Sequence, residues 1–128
     1  MSRYAPVPTN AELLLLRILW RRGPQTVREV HRAVRRERDI GYTTVLKTLQ
    51  VMAEKGLVTR DESARSHVYA AALGEATVKR RAVKDLLVRV FDGSAEGLVM
   101  QALSSRRASA EELARLRALI DELRRRAR

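Results

Sequence analysis

The sequence contains no cysteine, which excludes disulfide bonds, thiolate catalysis and the commonest zinc sites. Aromatic residues make up only 4% of its 128 residues, so any core must be built mainly from Leu, Val and Ala, which favours helices. No apolar run approaches the roughly 18 to 20 residues of a membrane-spanning helix, and the N-terminus lacks a signal-peptide pattern. We therefore expect a mainly α-helical, cytoplasmic protein that does not insert into a membrane.

Patterns that carry catalysis or cofactor binding are also missing. The two histidines, His31 and His67, lie far apart in the sequence, neither belongs to a metal-binding pattern, and there is no glycine-rich phosphate loop. The sequence therefore predicts no catalytic residue, no metal site and no cofactor, and an enzyme is not expected.

What the chain does carry is positive charge. The formal net charge is +11 and the isoelectric point is near 11.3, which indicates a polyanionic partner. Nucleic acid is the leading candidate and an anionic membrane surface is its competitor. The apolar content of 45% excludes wholesale disorder.

The stretch from Tyr42 to Tyr69 has the pattern of a DNA-reading helix followed by a wing. Apolar residues fall on one face of a predicted helix: Val45, Leu46, Leu49, Met52 and Ala53. The opposite face carries short hydroxyls, an amide and a lysine: Thr43, Thr44, Lys47, Gln50, Val51 and Glu54. Such side chains can reach base edges and phosphates in a major groove. Gly56 is expected just past the helix end.

Two strands, residues 57–59 and 66–69, are predicted to form the wing around a polar tip that ends at Arg65. This arginine is placed to contact a phosphate or a minor groove. The same pattern also fits a buried helix with a small hairpin and no nucleic-acid contact, so the surrounding chain has to decide.

Two further helices precede the predicted reading helix, each begun by a capping box. Thr9 with Glu12 starts the first, a strongly apolar helix that ends at Gly23 and contains Trp20, interpreted as a core aromatic. Thr26 with Glu29 starts the second, whose inner stripe is Val27, Val30, His31 and Val34. Its polar side carries Arg28, Arg32, Arg35 and Arg36, which can follow a phosphate backbone or form a solvated face. Gly41 is the expected N-cap of the third helix, and residues 1–8 an extended arm of open role.

The order helix, helix, reading helix, wing resembles a winged helix-turn-helix, and the sequence is similar to the BlaI/MecI family of penicillinase and methicillin-resistance repressors. The matching features are Glu12 with Leu19-Trp20, Thr26 with Glu29-Val30, Tyr42-Thr43-Thr44-Val45 with Thr48-Leu49, Lys55-Gly56-Leu57-Val58, and Arg65 with Tyr69. The resemblance implies a cytoplasmic homodimer that represses by occupying a palindromic operator with TACA/TGTA-type half-sites, with the third helix in the major groove of double-stranded DNA.

Residues expected to contact DNA follow from the charge pattern and from this resemblance: Arg28, Tyr42, Thr43, Thr44, Lys47, Thr48, Val51 and Arg65. Two of them depart from the family pattern, since Lys47 stands where threonine is usual and Val51 where arginine is frequent. The operator sequence therefore stays open.

Beyond a small-residue segment at residues 70–74, interpreted as a hinge, the chain reads as helices. We expect a DNA-binding domain of residues 1–73 and a helical dimerisation domain of residues 74–128. Ser94 is predicted to cap a short helix, and Ser109 with Glu112 to form a third capping box. The predicted dimerisation residues are Val83, Leu86, Val90, Phe91, Leu98, Leu113, Leu116, Ile120 and Leu123. The alternative is that these three helices form a core of their own within a single protomer.

Release of the repressor is suggested only by the resemblance. In the best-known family members a membrane-bound sensor protease triggers cleavage in the helix that here spans Leu98 to Leu103, and the corresponding bond lies near Gln101 and Ala102. The neighbouring residues differ, and nothing in the sequence shows that this chain is a substrate. Two rival functions remain: a basic structural or RNA-associated protein, and an interaction module whose winged helix no longer binds DNA. The lack of cysteine disfavours metal sensing.

Overall fold

The computed structural model describes residues 7–127, so most of the predicted N-terminal arm lies outside the described residues. The elements in chain order are α1 (Asn10–Arg22), β1 (Gln25–Thr26), α2 (Val27–Arg35), α3 (Tyr42–Glu54), β2 (Val58–Asp61), β3 (Val68–Ala71), α4 (Glu75–Arg89), α5 (Ala95–Ser105) and α6 (Ala110–Arg126). The mainly helical architecture with a small antiparallel wing confirms the predicted fold class.

The predicted capping boxes begin α1 and α2. Thr9 accepts the Glu12 backbone N–H at 3.2 Å, and the Glu12 carboxylate accepts the Thr9 N–H at 2.9 Å. Thr26 and Glu29 repeat both bonds at the same distances. Each box satisfies two backbone donors that the first helical turn leaves without a partner, so it fixes where the helix starts.

The end of α3 is equally well defined by local bonds. Gly56 has a φ of 80°, a left-handed conformation that glycine adopts without steric cost. Its N–H donates to the carbonyl of Ala53 at 3.2 Å, and the Leu57 N–H donates to that of Met52 at 2.9 Å. This is a Schellman motif, and it turns the buried Leu57 back into the core.

The wing belongs to a three-stranded antiparallel sheet in the order β1-β3-β2. Both predicted wing strands are present but begin later than expected, and β1 was not predicted. β1 pairs Gln25 with Tyr69. The predicted hinge at residues 70–74 is wrong, because Ala70 and Ala71 belong to β3 and the Leu73 carbonyl accepts the Trp20 indole N–H at 2.9 Å. The segment up to Leu73 is therefore hydrogen-bonded to the rest of the first unit.

The core of the first three helices and the sheet is aliphatic with one buried tyrosine. Its fully buried side chains include Leu16, Val30, Val34, Val45, Leu49, Met52, Leu57 and Tyr69. Trp20 packs against this cluster and is half-buried, as the interpretation of a core aromatic expected. The core fixes α3 on one side and leaves its opposite face free.

The chain divides into two compact units, the first ending at Asp85 and the second running from Leu86 to Arg128. Val78 in α4 is buried in the core of the first unit. The functional boundary between residues 73 and 74 stays a prediction, but the core of the first unit extends beyond it.

In the second unit, α5 and α6 contain no buried residue. Ser94 caps α5 through the Gly97 N–H at 2.9 Å, as predicted. The predicted third capping box is half formed: Ser109 accepts the Glu112 N–H at 3.1 Å, but the Glu112 carboxylate accepts from Arg106 at 2.9 Å. An arginine thus takes the place of the backbone donor. No helix in the part of the chain that the structure describes is long and apolar enough to span a membrane.

Candidate nucleic-acid interface

The outward face of α3 is the centre of the candidate site. Thr43, Thr44, Lys47, Gln50 and Val51 are all exposed, because Val45, Leu49 and Met52 hold the opposite face in the core. Val51 exposes 41% of its surface, so it is an apolar side chain available for contact. Thr48, by contrast, is half-buried and its hydroxyl donates to the Thr44 carbonyl at 2.7 Å. Its proton is already committed to the helix backbone.

The first turn of α3 presents backbone donors without a side-chain partner. Gly41 is the N-cap, as predicted, and it supplies no side-chain bond. The first turn contains no acidic residue, whereas α1, α2 and α6 each carry at least one there. A helix start of this kind attracts anions, since its N–H groups and the helix dipole both favour negative charge.

Three predicted contact residues meet around one cavity of about 390 Å³. Arg28 comes from the first turn of α2, Tyr42 begins α3, and Arg65 lies in the loop between β2 and β3. Thr26, His67 and Tyr69 also line this space. We call it the basic cavity, because the residues that line it include two arginines and a histidine.

Predicted cations at this surface are not neutralised by the protein itself. Within residues 7–127, no carboxylate lies within ion-pair distance of Arg28, Lys47 or Arg65. Their charge is therefore available to a polyanion without breaking an existing pair.

Behind the reading helix, a partly buried ion pair ties α3 to α1. The Lys55 ammonium, at the end of α3, lies 2.8 Å from the Glu12 carboxylate. Burial raises the pKa of Glu12, but the hydrogen bonds from Lys55 and Thr9 and the charge of Lys55 outweigh it, so the pKa of Glu12 is lowered overall. Glu12 stays ionised and holds both helices at once.

His31 forms a second link, at the start of the reading helix. Its Nε2 lies 3.0 Å from the Ile40 carbonyl, and its ring meets that of Tyr42 edge-on with centroids 5.8 Å apart. The expected role of His31 at a helix interface is confirmed. The contact orients Tyr42, which is still 45% exposed.

Two wing residues were missed as functional candidates. Arg60 on β2 lies near Gln50 and Glu54 of α3, and its interactions with the Tyr69 hydroxyl and with Glu62 raise its pKa. His67 was interpreted as a strand-surface residue, but it lines the basic cavity beside Arg65. The pairing of Arg60 with Tyr69 across the sheet was not readable, because it depends on a register between distant residues.

At the wing tip, Asp61 accepts the Ser63 backbone N–H at 2.9 Å. The hydrogen bonds from the Ser63 hydroxyl and backbone lower the pKa of Asp61. This turn fixes the start of the loop that carries Arg65. No group of three or more His, Asp or Glu side chains that could hold a metal ion occurs among the described residues.

The predicted dimerisation residues lie in α4, α5 and α6 and in the turn after α4. Val83, Leu86, Val90, Leu113, Ile120 and Leu123 are exposed, and Phe91, Leu98 and Leu116 are half-buried. Gln101 and Ala102, the residues of the expected cleavage site, lie exposed within α5.

Three helices, a wing and an exposed third helix with uncapped donors define a winged helix-turn-helix DNA-binding protein. The family model described as penicillinase repressor matches residues 8–122, and the chain belongs to that family. It is a BlaI-like transcriptional regulator with a winged-helix DNA-binding domain, in a family of repressors and not of enzymes.

Among similar proteins, the transcriptional regulator BlaI of Mycobacterium tuberculosis is 37% identical over 107 residues, which cover 82% of this chain and 76% of the relative. The solution structure of the DNA-binding domain of the repressor BlaI aligns with a TM-score of 0.51 at 20% identity, over 59% of this chain and 92% of that domain. The complex structure of hsRosR-S4 aligns with a TM-score of 0.53 at 17% identity, over 97% of this chain and 96% of the other. Both likenesses concern the fold.

Proposed function

We propose that this protein represses transcription as a homodimer bound to a palindromic operator, with α3 of each protomer in the major groove of duplex DNA. The observation that carries the proposal is the outward face of α3, where Thr43, Thr44, Lys47 and Gln50 are exposed. Arg28 and Arg65 have no carboxylate partner within residues 7–127. Kinship with BlaI of M. tuberculosis, a transcriptional regulator by name, supports it. Such a repressor works beside the chromosome, in the cytoplasm.

Base readout is assigned to the exposed residues of α3. Gln50 can bond an adenine edge, Lys47 a guanine edge, and the Val51 methyls can meet a thymine methyl. Thr43 and Thr44 are assigned to bases and phosphates, and Arg28 and Arg65 to phosphates. Thr48 offers only its oxygen as an acceptor, because its hydroxyl proton bonds Thr44.

Selection of binding sites from random duplex DNA tests the proposal. We expect a palindromic consensus whose half-site centres lie about one helical turn apart. Recovery of sequences without a shared consensus would refute specific repression. It would favour instead a basic structural or RNA-associated protein, because the net charge of +11 is sufficient for binding a polyanion without sequence specificity.

Dimerisation is proposed from the apolar side chains that α4, α5 and α6 leave in solvent. On α6, Leu113, Leu116, Ile120 and Leu123 recur at a 3-4-3 spacing, the pattern of a helix seam. A second copy of the same chain would cover these side chains symmetrically and relate the two reading helices by a two-fold axis.

Substitution within α6 tests the dimer with a matched control. Ile120 and Leu119 are each 54% exposed, are neighbours in one helix, and differ in the direction they face. Ile120→Asp should shift the protein to monomer in sedimentation equilibrium at micromolar concentration, while Leu119→Asp should stay dimeric. Equal behaviour of the two variants would contradict the proposed seam.

Truncation gives a second test, and the burial of Val78 decides where to cut. A fragment of residues 1–73 lacks Val78 and would lose a core side chain, whereas one of residues 1–85 keeps the whole first unit. We expect the longer fragment to bind the selected operator far more weakly than the full chain. If a monomeric fragment bound the operator with the same affinity as the full chain, specific DNA binding would not depend on dimerisation, and the proposal would be contradicted.

Proteolytic release is proposed by kinship, with cleavage near Gln101 and Ala102 triggered by a membrane-bound sensor protease. The bond lies in an exposed stretch of α5 where the hydroxyls of Ser104 and Ser105 bond back to the Met100 and Gln101 carbonyls. Such bonds compete with the helix ladder and ease local opening. Mass spectrometry of the repressor from induced cells should find a break there. An intact chain after induction would exclude this route.

A further inference from the structure

We propose that the basic cavity binds one backbone phosphate of the DNA, held jointly by Arg28, Arg65 and His67. The proposal rests on the proposed function for its partner, but it goes further in placing residues from α2 and the wing loop on the same phosphate. A separate phosphate for each of these residues would be the ordinary arrangement along a duplex.

Charge is the first argument. Two arginines and a histidine line the basic cavity, and none of the described residues that line it is acidic. Neither arginine has an ion-pair partner among residues 7–127, so both side chains line the same space without a counter-charge. A single anion between them would relieve their mutual repulsion and accept planar, two-pronged hydrogen bonds from each.

Size and polarity are the second argument. The volume of about 390 Å³ is large enough for one phosphate diester and the adjoining sugar atoms. Thr26 and Tyr42, which also line this space, each carry a hydroxyl group that can donate a hydrogen bond. The occupant expected from these groups is an oxygen-rich anion.

Position is the third argument. Tyr42 is both a lining residue and the first residue of α3, so the cavity adjoins the uncapped turn of the reading helix. A strand whose phosphate sits there would pass the point where α3 enters the major groove. The bound phosphate would then set how far along the groove the reading helix is placed.

Methylphosphonate scanning of the selected duplex tests the proposal. Each phosphate is replaced in turn by a neutral group. Replacement at one position in each half-site should weaken wild-type binding by roughly tenfold. Arg28→Ala, Arg65→Ala and His67→Ala should each be less sensitive than the wild type at that same position. The shared site would be refuted if the variants lost sensitivity at different phosphates. It would also be refuted if their sensitivity to each replacement matched that of the wild type.

A matched control lies on the same helix. Arg35→Ala removes an equal charge from the last turn of α2, outside the basic cavity. It should keep full sensitivity at the shared phosphate. Arg65→Lys serves as a second variant, because it retains charge but loses the guanidinium fork, and it should be intermediate. Loss of sensitivity in Arg35→Ala would show a general charge effect and refute the assignment.

Failure of the proposed function can be told apart from failure of this site. If no consensus is recovered, salt titration on random-sequence duplex still applies, since each phosphate contact contributes about 0.9 to the slope of log affinity against log salt. A shared phosphate predicts that the Arg28→Ala/Arg65→Ala double variant lowers this slope by about 0.9 at most, the contribution of one phosphate. A doubled loss would assign the two arginines to separate phosphates.

Inorganic phosphate, added at constant ionic strength, distinguishes the source of the anion. Displacement of wild-type protein from DNA, but not of the double variant, would mean that the cavity also accepts free phosphate. Displacement of neither would mean that it takes only a phosphate held in the duplex. Equal displacement of both would place the phosphate-sensitive site elsewhere and overturn the proposal.

Discussion

Replacing Lys55 by methionine isolates the ion pair that holds the reading helix to α1. Methionine keeps most of the aliphatic stem and removes the charge, so the Glu12 carboxylate loses its partner while its side chain remains only 4% exposed. An exposed ion pair contributes about 0 to 1 kcal/mol, and removing one partner of a fully buried pair costs about 3 to 5 kcal/mol. Because Lys55 is itself 37% exposed, we expect a loss of about 1 to 3 kcal/mol at pH 7.

The dependence of this loss on pH follows from the two states of Glu12. In the wild type the folded-state pKa of Glu12 is lowered, so its stabilising effect is present above the unfolded value of about 4.5 and is lost as the pH falls through the folded value. In the variant, burial and the Thr9 hydrogen bonds remain but both contributions of Lys55 are lost, so the folded-state pKa of Glu12 should rise relative to the wild type. The difference between the two proteins should therefore be largest at neutral pH and shrink on acidification.

Urea unfolding followed by Trp20 fluorescence measures this loss, because the sole tryptophan packs against the core of the first unit. Protein concentration must be held constant, since dimerisation would add to stability. Lys79→Met is the control, because its pair with Glu75 is exposed and spans one helical turn, and it should change stability by less than about 0.5 kcal/mol. Equal losses in the two variants, or a deficit of Lys55→Met that grows as the pH falls, would refute the reasoning.

Further expectations concern the ends of the same helix. Thr44→Ala should weaken binding to the selected operator by about 1 to 3 kcal/mol with little change on random DNA, and equal losses in gel-shift titrations on both would reassign Thr44 to a phosphate. Gly56→Ala should destabilise the protein by about 1 kcal/mol in thermal unfolding, because the residue has a φ of 80° and an added methyl meets nothing within 4 Å. Gly74→Ala, also without a neighbour within 4 Å, should be nearly neutral, and similar losses would point away from backbone conformation.

Features that depend on neighbours in the sequence were predictable. The capping pairs Thr9 with Glu12 and Thr26 with Glu29, and the helix end at Gly56, rest on bonds between residues a few positions apart. The exposed face of α3 followed from the helical period, because one apolar stripe leaves the other side in solvent.

Features that depend on distant pairing were missed. β1 is only two residues long and exists because Gln25 and Thr26 pair with β3, more than 40 residues later. The bond between Glu12 and Lys55 joins residues 43 positions apart. The basic cavity likewise needs the fold, since Arg28 and Arg65 were predicted separately and no local pattern shows that they line one space. The Glu112 carboxylate was misassigned because Arg106, six residues away, offers a stronger donor than a backbone N–H.

Gly41 gives α3 no side-chain cap, and a substitution at this residue should change protein stability and DNA affinity in opposite directions. Gly41 has a φ of −74° and open space around its Cα, so neither conformation nor crowding requires glycine there. Ser or Asp would cap the helix and stabilise the protein by roughly a few tenths of a kcal/mol relative to glycine. Either would also occupy N–H groups that a phosphate needs, and Asp would repel it. A screen that selects only for heat resistance should therefore enrich caps at this position and recover repressors that no longer repress.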